Sequence, residues 1–146
     1  MRSSKKNKKT QYSSKKIDFG VSSMVSRLKT VGMLKPTEAL KRADPKKWHY
    51  GQAFDPAEIE SNYTSFIKIL NSLDVKILWM KPKYNEYADS IFTYDPSFMT
   101  QKGAILLSPG KLLRKGEEKI HEEFYKNNNI PIIGKLSELA IAEGGD

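Results

Sequence analysis

Two acidic residues, Asp95 and Glu143, stand at positions where a carboxylate could do chemistry. Asp95 follows the apolar segment 90–94 and precedes a proline. Glu143 follows the apolar segment 139–142 and precedes two glycines, which would let the backbone approach a ligand closely. Asp89 opens the segment that Asp95 closes, and their separation of six residues puts both on one side of a regular strand. We therefore expect carboxylates at strand ends, where α/β folds build their sites.

Carboxylates grouped in this way suit a cation. A guanidinium group is planar, with five N–H donors in a fixed fork, so carboxylates on two sides can fix its orientation. An amine could bind in the same place, and a metal ion is the alternative, but no histidine that could ligate a metal lies nearby in sequence. His49 falls in a predicted loop, and His121, flanked by glutamates, falls on the predicted surface of a helix. We expect no metal site and no cofactor, although an acid at a strand end is also a common turn or cap residue.

Composition excludes several classes of protein. The 146 residues include no cysteine, which excludes a disulfide scaffold, a cysteine-ligated metal site and a thiol nucleophile within this chain. No run of apolar residues approaches the roughly 18 that a membrane-spanning helix needs. With 38% hydrophobic and 29% charged residues, the chain fits a soluble globular domain with some disordered sequence attached.

The basic charge is concentrated at the start of the chain. The formal net charge is +8, and residues 1–16 carry seven basic side chains and no acid. The remaining residues hold 18 basic and 17 acidic side chains and are nearly neutral. We expect residues 1–16 to be a disordered tail that makes at most weak electrostatic contacts. The near-neutral body argues against a nucleic-acid-binding module, and the lack of a targeting signal favours the cytoplasm.

Alternating strand and helix signals predict an α/β fold. The helix that begins near residue 55 is the most clearly marked, by Asp55 as N-cap, Pro56 as first residue and Glu58 as third. Strands are predicted over 31–36, 75–80, 90–94, 103–107, 130–133 and 139–142, and helices over 55–73 and 115–127. A loop is predicted around 45–50. The strand at 75–80 is largely apolar on both faces and is therefore expected at the centre of a sheet.

Two stretches of the chain have the same organisation. The apolar segments 31–36 and 104–109 each end at a proline and lead through a helix to another strand, which starts near Val75 or Ile130. A repeated strand–helix–strand unit suggests modules around a shared core. Two such units would leave sheet edges unpaired, which indicates part of a larger fold.

Four segments together carry a resemblance to a known family. They are DSIFTYDP (89–96), GAILLSPG (103–110), RKGE (114–117) and EGGD (143–146). In this order and at these intervals they resemble the guanidine-modifying superfamily, most nearly the dimethylarginine dimethylaminohydrolases and related amidinotransferases. The resemblance covers about residues 31–146 and is most specific in the quoted segments.

The resemblance implies a fold. Members of the superfamily have the pentein fold, an α/β propeller of five ββαβ modules around a pseudo-fivefold axis, with the active site in the central channel. Residues 17–146 would then form the N-terminal part of a pentein domain, with about two of its five modules.

The resemblance also implies a chemistry. A cysteine thiolate attacks the guanidinium carbon, an amine leaves, and the covalent intermediate is hydrolysed or transferred, with a histidine as general acid and base. By motif position, Asp95 would hydrogen-bond the guanidinium nitrogens. Glu143 would do the same while orienting the histidine, as the catalytic residue of this chain. Asp89 and Phe92 would line the pocket, and Arg114 would bind the substrate carboxylate as a bidentate partner.

Two features depart from the family pattern. Tyr94 stands where many dimethylarginine hydrolases have glutamate, so the guanidino substrate stays open. The family's histidine and cysteine follow the Glu-Gly-Gly-Asp motif, with which this sequence ends. We therefore expect the N-terminal part of an enzyme acting on arginine or a methylarginine-like small molecule, with a C-terminal partner segment supplying both groups. The alternatives are an amidinotransferase, an arginine deiminase relative, or a non-catalytic protein that binds a cationic ligand.

Overall fold

The computed structural model describes residues 18–23, 25–137 and 139–145. Within them the secondary structure comprises five short strands, four α-helices and two 3₁₀ turns. In chain order they are β1 (Thr30–Met33), α1 (Glu38–Lys41), α2 (Pro45–Trp48), α3 (Pro56–Ser72), β2 (Lys76–Trp79), a 3₁₀ turn (Ala88–Ile91), β3 (Ser97–Thr100), β4 (Gly103–Leu106), a second 3₁₀ turn (Leu112–Arg114), α4 (Glu117–Asn127) and β5 (Ile132–Lys135). The basic tail predicted over 1–16 lies outside the described residues.

The first strand–helix–strand unit is β1–α3–β2. Helix α3 begins at Pro56 because the Asp55 carboxylate accepts a hydrogen bond from the Ala57 amide at 2.8 Å, as predicted. Strand β1 pairs in parallel with β2, from Thr30 opposite Lys76 onward. The buried side of α3 packs with residues of both strands in a small core around Met33, Leu70 and Val75.

The second unit is β4–α4–β5, in which β4 pairs in parallel with β5. Ile120 and Phe124 of α4 pack against Leu106 of β4 and Leu34 after β1, so this core joins the two units. The repeated strand–helix–strand organisation is therefore confirmed. Strand β3 pairs antiparallel with β4 and was missed, because its apolar Phe98 is exposed and its polar Ser97 is buried.

The strand predicted over 90–94 is wrong. The chain forms the 3₁₀ turn Ala88–Ile91 and a further turn that ends at Pro96. Local hydrogen bonds favour this turn over a strand, because the Ser90 hydroxyl donates to the Tyr87 carbonyl at 2.8 Å. Asp89 and Asp95 consequently do not lie on one side of a strand.

Three smaller predictions also need correction. The strand predicted over 139–142 is reduced to one bridge between Ser108 and Ala142. The loop predicted over 45–50 contains α2, which begins at Pro45 because Asp44 accepts from the Lys46 amide at 2.9 Å. Strand β2 pairs with β1 on one side, and among the described residues it has no second neighbour, so the central position expected for it is not seen within them. Among these residues no helix is long and apolar enough to cross a membrane.

Candidate functional site

Asp95 lies in the turn that leads into β3 and is 6% exposed. Its carboxylate accepts a hydrogen bond from Nη1 of Arg114 at 2.5 Å. The next residue, Pro96, accepts from the Leu107 amide at 2.9 Å, which ties the turn to the end of β4. The Asp95 carboxylate is therefore fixed in place by an ion pair and by the sheet.

Arg114 ends the second 3₁₀ turn and is buried. Its Nε and Nη2 atoms donate to Oε2 of Glu117 at 3.0 and 2.7 Å, while Nη1 donates to Asp95. Burial lowers the pKa of Arg114, but the hydrogen bonds to Glu117 and Asp95 outweigh it, so the pKa is raised overall. In this arrangement Arg114 positions Asp95, and its contact with a substrate carboxylate stays a prediction.

Glu117, the first residue of α4, is a part of this cluster that sequence reasoning missed. It is 1% exposed, and its Oε1 atom has no hydrogen-bond partner within the described part of the chain. Burial raises the pKa of Glu117 to about 7, although the hydrogen bond with Arg114 and the charge of Arg114 act to lower it. The burial of Glu117 could have been predicted from the sequence, because helical spacing puts it on the same face of α4 as Ile120 and Phe124.

Asp89 forms a third ion pair beside the two of Arg114. Its Oδ2 atom accepts from the Lys111 ammonium at 2.6 Å, and its Oδ1 atom accepts from the Tyr50 hydroxyl. The Lys111 ammonium also donates to the Trp48 carbonyl at 2.6 Å. Burial and the hydrogen bond to Asp89 raise the pKa of Tyr50, which keeps the phenol protonated as the donor.

The three ion pairs of this cluster leave an excess of negative charge when Glu117 is ionised. Three buried carboxylates, those of Asp89, Asp95 and Glu117, are matched by two cations, Arg114 and Lys111. Burial lowers the pKa of the nearby His121 to about 4, with a smaller contribution from the Arg114 charge, so this imidazole is neutral at pH 7 and adds no positive charge. The cluster therefore carries one unbalanced negative charge when all three acids are ionised.

Glu143 is held next to this cluster through the backbone. The amide of Gly144 donates to the Asp95 carbonyl at 3.2 Å, and Oε1 of Glu143 accepts from the Gly110 amide at 3.2 Å. A Cβ atom at Gly144 would lie 1.9 Å from the Tyr94 carbonyl oxygen, so this close approach requires glycine. The structure thus joins the Glu-Gly-Gly segment to the Tyr94–Asp95 turn. The spacing of the motifs in the sequence could not show this contact.

The two aromatic residues of the turn are exposed, Phe92 at 45% and Tyr94 at 61%. Both rings flank Asp95 along the chain and present apolar surface to solvent. The pocket-lining role expected of Phe92 is not tested by this exposure and stays a prediction.

His121 is not a surface residue, and the prediction that it lies there is wrong. It is 2% exposed, and its Nδ1 atom lies 2.9 Å from Oγ of Ser97, which in turn lies 2.6 Å from the Tyr125 hydroxyl. The physical reason is that α4 buries the face carrying Glu117 and His121, although both are polar. His49 is exposed at the end of α2.

Comparison with known proteins finds dimethylarginine dimethylaminohydrolases among the relatives of this chain, although no protein-family model matches it. The dimethylarginine dimethylaminohydrolase of Pseudomonas aeruginosa is 30% identical over 98 residues, which are 67% of this chain and 38% of that enzyme. A solved structure of the P. aeruginosa enzyme, a cysteine-to-serine variant complexed with citrulline, aligns with a TM-score of 0.67 and 25% identity over 83% of this chain and 46% of that one.

Two further solved structures align at similar quality. A dimethylarginine dimethylaminohydrolase adduct with 4-chloro-2-hydroxymethylpyridine gives a TM-score of 0.63 at 26% identity, covering 81% of this chain and 44% of that one. AgrE, solved as a variant with L-arginine, aligns with a TM-score of 0.66 at 16% identity and covers 83% of this chain and 18% of that one. At this identity the likeness supports the fold alone. The chain spans less than half the length of these proteins. It is a dimethylarginine dimethylaminohydrolase-like relative within the guanidine-modifying superfamily, matched over part of the length of those enzymes.

Proposed function

We propose that this chain forms the guanidinium-binding part of a guanidine-modifying hydrolase that acts on arginine or a methylarginine. The observation that carries the proposal is the charge balance at the turn. Three buried carboxylates face two cations, so the cluster carries an excess negative charge when Glu117 is ionised. A cationic ligand would neutralise this excess, and a guanidinium can use a carboxylate on each side.

The proposed roles are those that the motif resemblance assigns to these residues. Asp95, held by Arg114, accepts hydrogen bonds from the guanidinium nitrogens, and Glu143 accepts from the other side. Glu143 also orients the histidine that exchanges protons with the reacting groups. Phe92 covers the bound group with its exposed ring, and Asp89 lines the same pocket. Arg114 meets a substrate carboxylate only if it gives up part of its contact with Glu117.

The covalent step needs groups from outside these 146 residues, which contain no cysteine. In the proposed reaction a cysteine thiolate bonds to the guanidinium carbon and the C–N bond to the departing amine breaks, the histidine giving that amine its proton. Water then attacks the intermediate and releases the thiolate and the ureido product. A C-terminal partner segment would supply the cysteine and the histidine, and an acceptor amine in place of water would give amidino transfer.

Ligand binding by the chain tests the proposal directly. Isothermal titration with asymmetric dimethylarginine and with L-arginine should detect binding, and Asp95→Asn and Glu143→Gln should each weaken it by about tenfold or more, the worth of a charge-assisted hydrogen bond. Asp74→Asn is the matched control, because that carboxylate is 91% exposed and pairs only loosely with Arg27, at 3.8 Å. Equal affinities in all four proteins, or no binding in any of them, would contradict the proposed site.

The same preparation distinguishes an enzyme part from a binding protein. We expect no citrulline and no dimethylamine from the chain by itself, since the nucleophile is missing. Sequencing the source locus past the codon for Asp146 would then separate the alternatives. An in-frame continuation with a histidine and a cysteine supports the hydrolase or transferase. A genuine stop, with no such segment nearby, together with retained ligand affinity would favour a non-catalytic binding protein.

A further inference from the structure

The Lys111 ammonium occupies a site with four distinct walls. It lies 2.6 Å from the Trp48 carbonyl oxygen and 2.6 Å from Oδ2 of Asp89. It also lies 4.9 Å from the centre of the Trp48 ring and 5.4 Å from that of Tyr50. Two oxygen acceptors and two aromatic faces within about 6 Å are the surroundings in which proteins bind ammonium groups.

The walls of this site are held by contacts that do not involve Lys111. The Tyr50 hydroxyl donates to Oδ1 of Asp89, which fixes the ring and the carboxylate relative to each other. The Tyr50 amide donates to the Pro45 carbonyl at 2.8 Å, and the Trp48 amide to the Asp44 carbonyl at 2.9 Å. Lys111 enters from the separate loop before the second 3₁₀ turn, so the site is built by the scaffold and filled by a single side chain.

The geometry selects an ammonium over a guanidinium. A guanidinium binds a carboxylate best through two parallel bonds to its two oxygens. At Asp89 one oxygen is already taken by Tyr50, which leaves a single oxygen for the cation. A compact ammonium with three rotatable donors can use that oxygen and the Trp48 carbonyl together.

We propose that Trp48, Tyr50 and Asp89 form an ammonium-binding site that Lys111 fills from within the chain, and that a small alkylammonium ion can take the place of its head group. The site is separate from the contacts of Asp95 and goes beyond the proposed function. One consequence rests on that function: since Asp89 is proposed to line the substrate pocket, Lys111 keeps this carboxylate from a cationic ligand until it is displaced.

Chemical rescue tests the site. Lys111→Ala removes three carbons and the ammonium, the size of n-propylammonium, and should lower the midpoint of thermal unfolding. Added n-propylammonium chloride, compared with sodium chloride at equal ionic strength, should raise that midpoint more in Lys111→Ala than in the unchanged chain. Lys115→Ala, at an exposed lysine of the same loop region, is the matched control and should respond like the unchanged chain. Neutral n-propanol and N-propylguanidinium should rescue less.

Equal responses of all three proteins, or equal rescue by n-propanol, would overturn the proposal. If Lys111→Ala does not fold, NMR of the unchanged chain with ¹³C-labelled lysine gives a second measurement. The Lys111 ε-methylene resonances, assigned by their loss in Lys111→Arg, should be shifted upfield by the two rings and should move toward ordinary lysine values as n-propylammonium is added. Lys111 ε-methylene resonances at ordinary lysine positions in the unchanged chain would also overturn the proposal. None of these measurements uses arginine or a methylarginine, so failure here is distinct from failure of the proposed function.

Discussion

The amide of Gly144 donates a hydrogen bond to the carbonyl of Asp95 at 3.2 Å, across 49 residues of sequence. This bond brings two of the family-like segments, the one ending in Asp95–Pro96 and the one beginning at Glu143, onto adjoining backbone. It explains why a glycine follows Glu143, because the Tyr94 carbonyl oxygen occupies the space that any side chain at residue 144 would need.

Replacing Gly144 by alanine should therefore separate the two segments. The new Cβ would lie 1.9 Å from the Tyr94 carbonyl oxygen, and a backbone oxygen cannot yield as a flexible side chain would. We expect a loss of about 1–3 kcal/mol in the free energy of unfolding, the usual cost of overpacking, together with weaker binding of dimethylarginine. Urea denaturation and calorimetry measure the two effects. Gly145→Ala is the matched control, since its Cβ would meet only the Tyr94 ring at 3.7 Å, and equal losses in the two variants would contradict the argument.

Removing the Arg114 charge should leave buried carboxylates without compensation. Arg114→Met is expected to lower the free energy of unfolding by about 3–5 kcal/mol at pH 7, the cost of breaking a buried ion pair. The loss should shrink on combining it with Glu117→Gln, because Glu117 then no longer carries a charge. Urea denaturation of the single and double variants measures the coupling. Simple additivity of the two effects would show that Arg114 and Glu117 do not act as a pair.

Glu117 should make stability fall with rising pH. Its pKa is about 7 in the folded chain, above its ordinary value of 4.5, so between these values the folded state binds more protons than the unfolded state. The stabilisation is complete below about pH 4.5 and is lost as the pH rises through 7. Subtracting the pH profile of Glu117→Gln from that of the unchanged chain isolates this effect in urea denaturation. Glu123→Gln, at an exposed position of the same helix, should leave the profile unchanged, and a flat difference for Glu117→Gln would refute the prediction.

His121 should have the opposite effect on the acid side. Its pKa is lowered from 6.5 to about 4 in the folded chain, so between these values the unfolded state binds more protons and stability falls as the pH is lowered. A shift of this size corresponds to roughly 3 kcal/mol across the window, since one pKa unit is about 1.4 kcal/mol. The His121 ring carbons should titrate near pH 4 by NMR, with the exposed His49 assigned by its loss in His49→Gln. A His121 midpoint near 6.5 would contradict its burial.

Much of the regular structure could be predicted from local sequence. Helix α3 carries its own start signal in Asp55 and Pro56, and its apolar positions repeat at helical spacing. The apolar runs of β1, β2 and β4 and the face of α4 with Ile120 and Phe124 were likewise visible. These elements are determined by capping and periodicity, which depend on residues a few positions apart. Their repeated order also identified the two parallel strand–helix–strand units.

Only part of the candidate site could be predicted from local sequence. Asp89, Asp95, Arg114 and Glu143 were chosen from motifs, and the structure brings Asp95 and Arg114 into an ion pair and Glu143 beside them through Gly144. The segment before Asp95 is apolar enough to look like a strand, yet the hydrogen bonds of Ser90 and the restriction imposed by Pro96 turn it instead. Strand propensity and turn chemistry compete there, and a local pattern does not show which prevails.

By itself, then, the sequence determined the charge of the tail, the lack of a thiol nucleophile, the two repeated units and the motifs of the superfamily. Only the tertiary structure decided that Glu117 and His121 are buried, that Lys111 fills a site formed by Trp48, Tyr50 and Asp89, and that Gly144 meets Asp95. The reason is that a polar side chain enters a core only when a partner distant in sequence satisfies it. Such partners are chosen by the packing of α4, β3 and the loops against one another, which no short stretch of sequence contains.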